Sequence, residues 1–270
     1  MYSEDDLRLL SEVLPNVASQ LRTAMGNLHA AIHHAVPESE SDPALQRKRC
    51  ITEQSYYRML RLVNNLSSSA LLAETEPLPT KNVELVEWLS DLCRQAQTLA
   101  EDLGLTVCFS CDLRAHVAAV HPGLLERLVW NLLSNAMKFT PRGGEITVSL
   151  HLSASQILLS VKDTGCGISE ELRDTVFDRY LHTSRLDPEP HGLGLGLPLC
   201  RRIAEGHGGR LMIDSDAGKG TTVTVALPDR RSARFEAHDV PFHYAGGFQP
   251  VMMELADALP YQSFRRENLD

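Results

Sequence analysis

Asn131, Asn135 and Lys138 stand four and three residues apart in a stretch where Leu124, Leu125, Leu128, Leu132 and Ala136 recur at helical spacing. That combination constrains the fold. The helix must bury an apolar stripe in a core while another of its sides carries two amides and an ammonium. An amide oxygen suits a hard cation such as Mg²⁺, which takes oxygen donors. A lysine beside it neutralises phosphate oxygens. The segments that follow extend the pattern. Gln156 to Val161 reads as a buried strand and runs into Asp163-Thr164-Gly165-Cys166-Gly167-Ile168. Glycines at a strand end allow a tight turn and close approach of a ligand to the backbone. A carboxylate there can accept a hydrogen bond from the exocyclic amine of a base. His191-Gly192-Leu193-Gly194-Leu195-Gly196-Leu197 then feeds a helix over Leu197 to Glu205, so free N–H groups and a helix dipole are expected to face phosphates. Gly218-Lys219-Gly220-Thr221-Thr222 opens a strand over Val223 to Leu227.

The N-terminal part has a different period. Leu7, Leu10, Leu14, Val17, Leu21, Ala24, Leu28 and Ala31 alternate three and four apart, an a/d seam, with a kink or restart expected at Pro15. Pro37 to Pro43 is a polar break. Asp42 is placed to cap a second helix with Pro43 at its first position, and the seam resumes at Tyr56, Met59, Val63, Leu66 and Ala70 before Pro77 and Pro79 close it. Two such helices cannot bury both seams alone, and a symmetric dimer would complete a four-helix bundle.

Together these motifs resemble the bacterial two-component sensor histidine kinases. Residues from about 80 to 228 are similar to the catalytic ATP-binding domain of that family, a Bergerat-type α/β sandwich shared with gyrase B and MutL. Asn131, Asn135 and Lys138 match the N box, Asp163, Gly165 and Gly167 the first glycine box, and Phe177 the F box. Gly192, Gly194 and Gly196 match the second glycine box, and Gly220 with Thr221 the third. The resemblance implies ATP and Mg²⁺ as cofactors: Asp163 on the adenine amine, Asn135 on Mg²⁺, Asn131 and Lys138 on phosphates, and His182 to His191 as a lid. It also implies that residues 1–78 are a dimerising, phosphotransfer-like helical hairpin, that residues 79–228 are the catalytic domain, and that a response regulator receiver domain is the partner. The expected fold class is α+β.

At the phosphoacceptor the chain departs from the family. The usual motif is Ser-His-Glu-Leu-Arg-Thr-Pro; here Leu21, Arg22 and Thr23 fix the register, and Ser19 and Gln20 stand where the histidine and acid belong. Ser19 occupies an outward heptad position, but a hydroxyl needs a general base to attack phosphorus, and an amide cannot be one. His33 falls on the same heptad position fourteen residues later, roughly 21 Å along the axis at 1.5 Å per residue, and is the alternative acceptor. His29 and His34 lie elsewhere on the helix, and the ordinary reading of all three is solvated surface histidine, since no neighbouring acid or metal partner singles any of them out. Thr23 and Gln20 keep the spacing with which the family orients a water on an aspartyl phosphate. Two functions therefore stand open. One is a cytosolic histidine kinase in two-component signalling. The other is a pseudokinase or phosphatase-type regulator that binds ATP and works through a heterodimer partner or a response regulator.

The net charge of −9 argues against nucleic acid or anionic membrane as the main partner. No apolar run reaches the length of a membrane span, and Met1 to Asp6 is acidic rather than signal-like, so a cytoplasmic protein is expected. The six cysteines show no disulfide framework. Cys108-x-x-Cys111 lacks a second pair for a metal, and Cys166 in the glycine turn is the one candidate redox-sensitive thiol. No input domain is recognised ahead of the hairpin, and a gyrase-like clamp is disfavoured because no transducer domain follows Leu227. Residues 229–270 form an extension too apolar for a disordered tail, with a short helix expected to end at Pro260.

Overall fold

The computed structural model describes residues 17, 20–31, 42–74, 78–170, 196–232 and 249–265. They fall into two units. Residues 1–76 and 243–270 make a helical unit, and residues 77–242 make an α/β unit.

In the helical unit, α1 covers residues 20–31 and α2 is Pro43–Glu74. The cap expected from sequence is present: the Ala44 N–H donates to Asp42 Oδ1 at 2.8 Å, and Pro43 opens the helix. The helices meet where His29 lies 2.8 Å from Glu53 Oε2 and stacks on Tyr56, ring centroids 4.3 Å apart. Met25 of α1 and Tyr56, Leu60 and Val63 of α2 are buried. The described members of the α1 seam, Val17, Leu21, Ala24, Leu28 and Ala31, all face solvent in the single chain. On α2 the expected seam divides, with Tyr56 and Val63 buried and Met59 exposed. The side chains of Leu66 and Ala70 and the segment around Pro15 lie outside the described residues.

The C-terminal segment joins this unit. Its helix α6, Pro250–Glu254, is shorter than sequence suggests, and a 3₁₀ turn follows over Tyr261–Phe264. Pro260 precedes that turn instead of ending the helix. The reason lies on α2, where side chains of Gln54 and Arg58 take the carbonyls of Ala256 and Leu259.

In the α/β unit a five-stranded sheet runs in the order β2 (Thr106–Cys111), β4 (Glu145–Ser153), β5 (Gln156–Asp163), β7 (Gly220–Pro228), β6 (Arg210–Asp216). Only the β2–β4 pairing is parallel. A separate antiparallel pair joins β1 (Lys81–Glu84) to β3 (Val117–Val120). Period-two alternation gives the sheet one apolar face: Ile146, Val148 and Leu150, then Ile157, Leu159 and Val161, are all buried. Helices α3 (Leu85–Leu103), α4 (Pro122–Phe139) and α5 (Gly196–Gly206) pack against the sheet strands. The Glu84 carboxylate caps α3, and Gly104, at φ 67°, ends it in the left-handed conformation. At the start of α4 the His121 Nδ1 accepts from the Leu124 N–H at 3.3 Å. The His121 backbone N–H donates to His207 Nε2 at 3.0 Å, and His207 Nδ1 lies 2.7 Å from the Ile203 carbonyl. Burial lowers the pKa of both imidazoles, His121 with a further push from His207. Among the described residues no helix is long and apolar enough to cross a membrane.

Candidate nucleotide site

Asp163 is the last residue of β5, the middle strand of the sheet, and points toward the helix side with Ile157, Leu159 and Val161. Its Oδ1 accepts from the Gly165 N–H at 2.8 Å and the Thr221 N–H at 3.1 Å. Among the described residues both bonds end on one oxygen, and Oδ2 takes no further donor. Burial raises the carboxyl above its ordinary pKa, opposed by those two N–H groups.

The turn after Asp163 is laced to its neighbours. The Cys166 N–H reaches the Phe139 carbonyl at the end of α4, and the Gly218 N–H reaches the Cys166 carbonyl at 2.7 Å. Two glycines are obligatory here. Gly167 has φ 66°, and a Cβ on it would sit 2.0 Å from the Asp216 carbonyl oxygen; Gly220 has φ 89°, and its Cβ would sit 2.0 Å from that of Asp163. The first and third glycine motifs therefore close on each other around the carboxylate.

On α4, Asn131 is fully buried and donates from Nδ2 to the Arg127 carbonyl at 2.9 Å. Gly196, the first residue of α5, lies against it: a Cβ there would meet Asn131 Oδ1 at 3.2 Å and Asn135 Nδ2 at 3.9 Å. Asn135 and Lys138 are partly exposed, with the Lys138 ammonium 5.8 Å from the Phe139 ring centroid. The amide face of α4 and the last glycine of the second box are thus brought together. Phe177, Gly192, Gly194 and the 182–191 stretch lie outside the described residues, as do Ser19 and His33. Gln20 and Thr23 are exposed on α1.

Sequence reasoning missed Ser215. Its Oγ accepts from the Ile168 N–H at 2.9 Å, reaches the Gly220 carbonyl at 3.0 Å and lies 2.9 Å from Thr221 Oγ1. One hydroxyl therefore ties the first glycine turn to the residue whose N–H holds Asp163. The only signal was a small polar residue continuing the alternation of Leu211 and Ile213. Sequence also missed the acid beside His29, because Glu53 comes 24 residues later on the other helix. The cysteine pair falls as its spacing requires: Cys108 is exposed and Cys111 is on the opposite strand face, and all six cysteines are free. Among the described residues no cluster of three or more His, Cys, Asp or Glu could hold a metal ion.

Residues 121–231 match the family model described as histidine kinase-, DNA gyrase B- and HSP90-like ATPase. The sensor protein SrrB of Staphylococcus aureus is 31% identical over 233 residues, which are 84% of this chain and 40% of SrrB. Residues 121–231 thus carry the ATPase domain of that family model, and the chain is similar to sensor histidine kinases over most of its length. It spans less than half the length of these curated relatives. Solved structures show the same fold at lower identity. Full-length ShkA in complex with AMPPNP matches 83% of this chain and 47% of its own, with 21% identity and a TM-score of 0.68. The histidine kinase ThkA in complex with the response regulator protein TrrA matches 85% of this chain and 65% of its own, with 20% identity and a TM-score of 0.55.

Proposed function

We propose that this chain binds Mg-ATP and acts in two-component signal transduction as a cytosolic homodimer whose partner is a response regulator receiver domain. The observation that carries the reading is Asp163, held by two backbone N–H groups through one oxygen at the end of the central strand while, among the described residues, the other oxygen takes no donor. An adenine amine is the donor that such an oxygen suits. Asn131 and Lys138 would contact phosphates and Asn135 would ligate Mg²⁺; the partly exposed Asn135 beside Gly196 suits that role. Bound ATP would supply the transferable phosphoryl group. The chain's own contribution is electrostatic and positional: a carboxylate that orients the base, and amides and an ammonium set for phosphate charge.

Dimerisation is supported by exposed apolar side chains, Val17 ahead of α1 and Leu21 and Leu28 on it, 41–53% exposed, and by Ile51 and Met59 on α2. These large apolar side chains are what a second copy would cover in a four-helix bundle.

A second reading rests on Ser19 and Gln20. With neither imidazole nor acid at the acceptor position, the chain would bind ATP without autophosphorylation and act as a pseudokinase or as a phosphatase-type regulator, alone or in a heterodimer with a competent kinase. Incubation with γ-³²P-ATP and Mg²⁺ separates the two. An acid-labile, alkali-stable label means an active kinase using a histidine elsewhere, such as His33. Nucleotide binding without label means the regulator, and Ser19→His with Gln20→Glu should then switch labelling on.

A further inference from the structure

One side of α2 carries Gln54, Arg58, Arg61 and Asn64 at spacings of four, three and three, a continuous polar ladder on one helical face. Every rung meets the C-terminal segment. Gln54 Nε2 donates to the carbonyls of Leu259 at 2.6 Å and Ala256 at 3.3 Å, and Arg58 Nε donates to the Ala256 carbonyl at 3.2 Å. Arg61 Nη1 lies 2.8 Å from Asp257 Oδ2, and its Nε lies 3.8 Å from the fully buried Glu254 carboxylate. Asn64 Nδ2 reaches the Met253 sulfur at 3.0 Å. Apolar contact surrounds the ladder: Phe264 packs on Tyr57 at 5.6 Å between centroids, and Met252, Leu255, Ala256 and Leu259 are at most 2% exposed. Burial pushes the Tyr57 phenol up to about 12.

This contact is built for recognition as well as packing. A helix of five residues has no stability of its own, so α6 is ordered by what it docks on. Apolar side chains alone would tolerate several registers. A buried guanidinium facing two carboxylates tolerates one, because any slip leaves a charge without its counter-charge. Ile51, Ser55 and Met59, about a third of a turn round the helix from the ladder, remain exposed, so the docked segment leaves the apolar face of α2 open to a second copy.

We infer that residues 249–265 are a cis-acting ligand of α2. The Gln54–Asn64 face is a reader of short acidic segments bearing methionine and leucine, and the chain fills it with its own segment, closing it to elements of the same chemistry from other proteins.

The test uses the full-length chain, hydrogen exchange over residues 252–264, and a fluorescein-labelled peptide of residues 249–265. In the wild type these amides are protected and the peptide does not bind, since a tethered segment outcompetes a free one through its effective concentration. Asp257→Arg should cut that protection by at least about tenfold, and the wild-type peptide should then bind the vacated face. Arg61→Asp should release the segment and bind only a peptide carrying Asp257→Arg. Combining both substitutions in one chain should restore part of the protection, since the carboxylate placed at position 61 then faces the guanidinium placed at position 257 while Glu254 loses its counter-charge. Should Asp257→Arg reduce the helix signal of the whole chain, Arg58→Glu at the partly exposed rim gives the same readout. Protection within about twofold of wild type in the single variants would overturn the proposal. So would a released segment whose vacated face binds no peptide, or a charge swap that restores nothing.

Discussion

Replacing Asp163 by Asn separates what this side chain does for the fold from what it does for a nucleotide. The amide oxygen can take the place of Oδ1 and keep the bonds from the Gly165 and Thr221 N–H groups. Each bond falls from the charged to the neutral class, a loss of about 1 kcal/mol per bond. Against that, burial already disfavours the ionised carboxylate, which is why its pKa is raised, and a neutral amide removes that penalty. The net change in stability should stay near 1 kcal/mol, or about 2–4 °C in Tm for a unit of this size. The ligand side has no such compensation. Where Oδ2 accepted, Nδ2 now donates, so an adenine amine meets another donor. Losing a hydrogen bond to a charged acceptor removes about 1.5–3 kcal/mol, which is roughly 10–150-fold in Kd. The same donor suits a C6 carbonyl, so preference should shift toward inosine triphosphate. Calorimetry with ATP and with inosine triphosphate, beside a thermal melt, measures all three quantities. An ATP affinity within about threefold of wild type would remove Asp163 from the base-binding role. A large drop in Tm would mean that both oxygens serve the fold.

Ser215→Ala leaves the Ile168 N–H without its acceptor and loosens Thr221; a loss of about 1–3 kcal/mol is expected, with ATP affinity reduced and phosphate-only contacts unchanged, as pyrophosphate competition would show. The His121 and His207 nitrogens that accept backbone N–H groups must stay unprotonated. Both imidazoles have lowered pKa values, so the unfolded chain binds more protons, and stability is full above about 6.5 and falls as pH drops below it. The slope approaches about 1.4 kcal/mol per pH unit for each histidine; His207→Gln should flatten it, and an unchanged acid limb in urea melts would refute the assignment. Leu21→Glu with Leu28→Glu places charge on the exposed α1 stripe and should convert a dimer to a monomer by light scattering, with ATP binding intact. A wild-type chain that is monomeric at micromolar concentration would count against the bundle.

The candidate site was legible as a set of turns and one helix face because its signals are local. Each glycine motif marks a turn within a few residues, and a helical period of three and four puts Asn131, Asn135 and Lys138 on one face wherever α4 packs. The capped start of α2 at Asp42 is local too. Contacts across the sequence were not legible. Ser215 gives no signal until β6 pairs with β7 and brings it opposite Thr221. Glu53 becomes the neighbour of His29 only when the hairpin closes. The C-terminal segment was visible as apolar but not as a partner of α2, since a ladder of Gln, Arg, Arg and Asn reads as an ordinary solvated helix face until its counterpart is placed.

The bond from Gln54 to Leu259 joins residues 205 positions apart. Chains emerge from the ribosome vectorially, and at about 5–20 residues per second roughly 10–40 s separate the synthesis of these two residues. Within that interval the whole α/β unit is synthesised, while Tyr57 and the α2 ladder wait uncovered. Translation therefore finishes the two units in an inverted order: the α/β unit is complete first, and the helices made before it are completed last. Nascent-chain chaperones have access to the Gln54–Asn64 face until then, and a codon change that slows the stretch before Met252 would lengthen that exposure without altering a single residue.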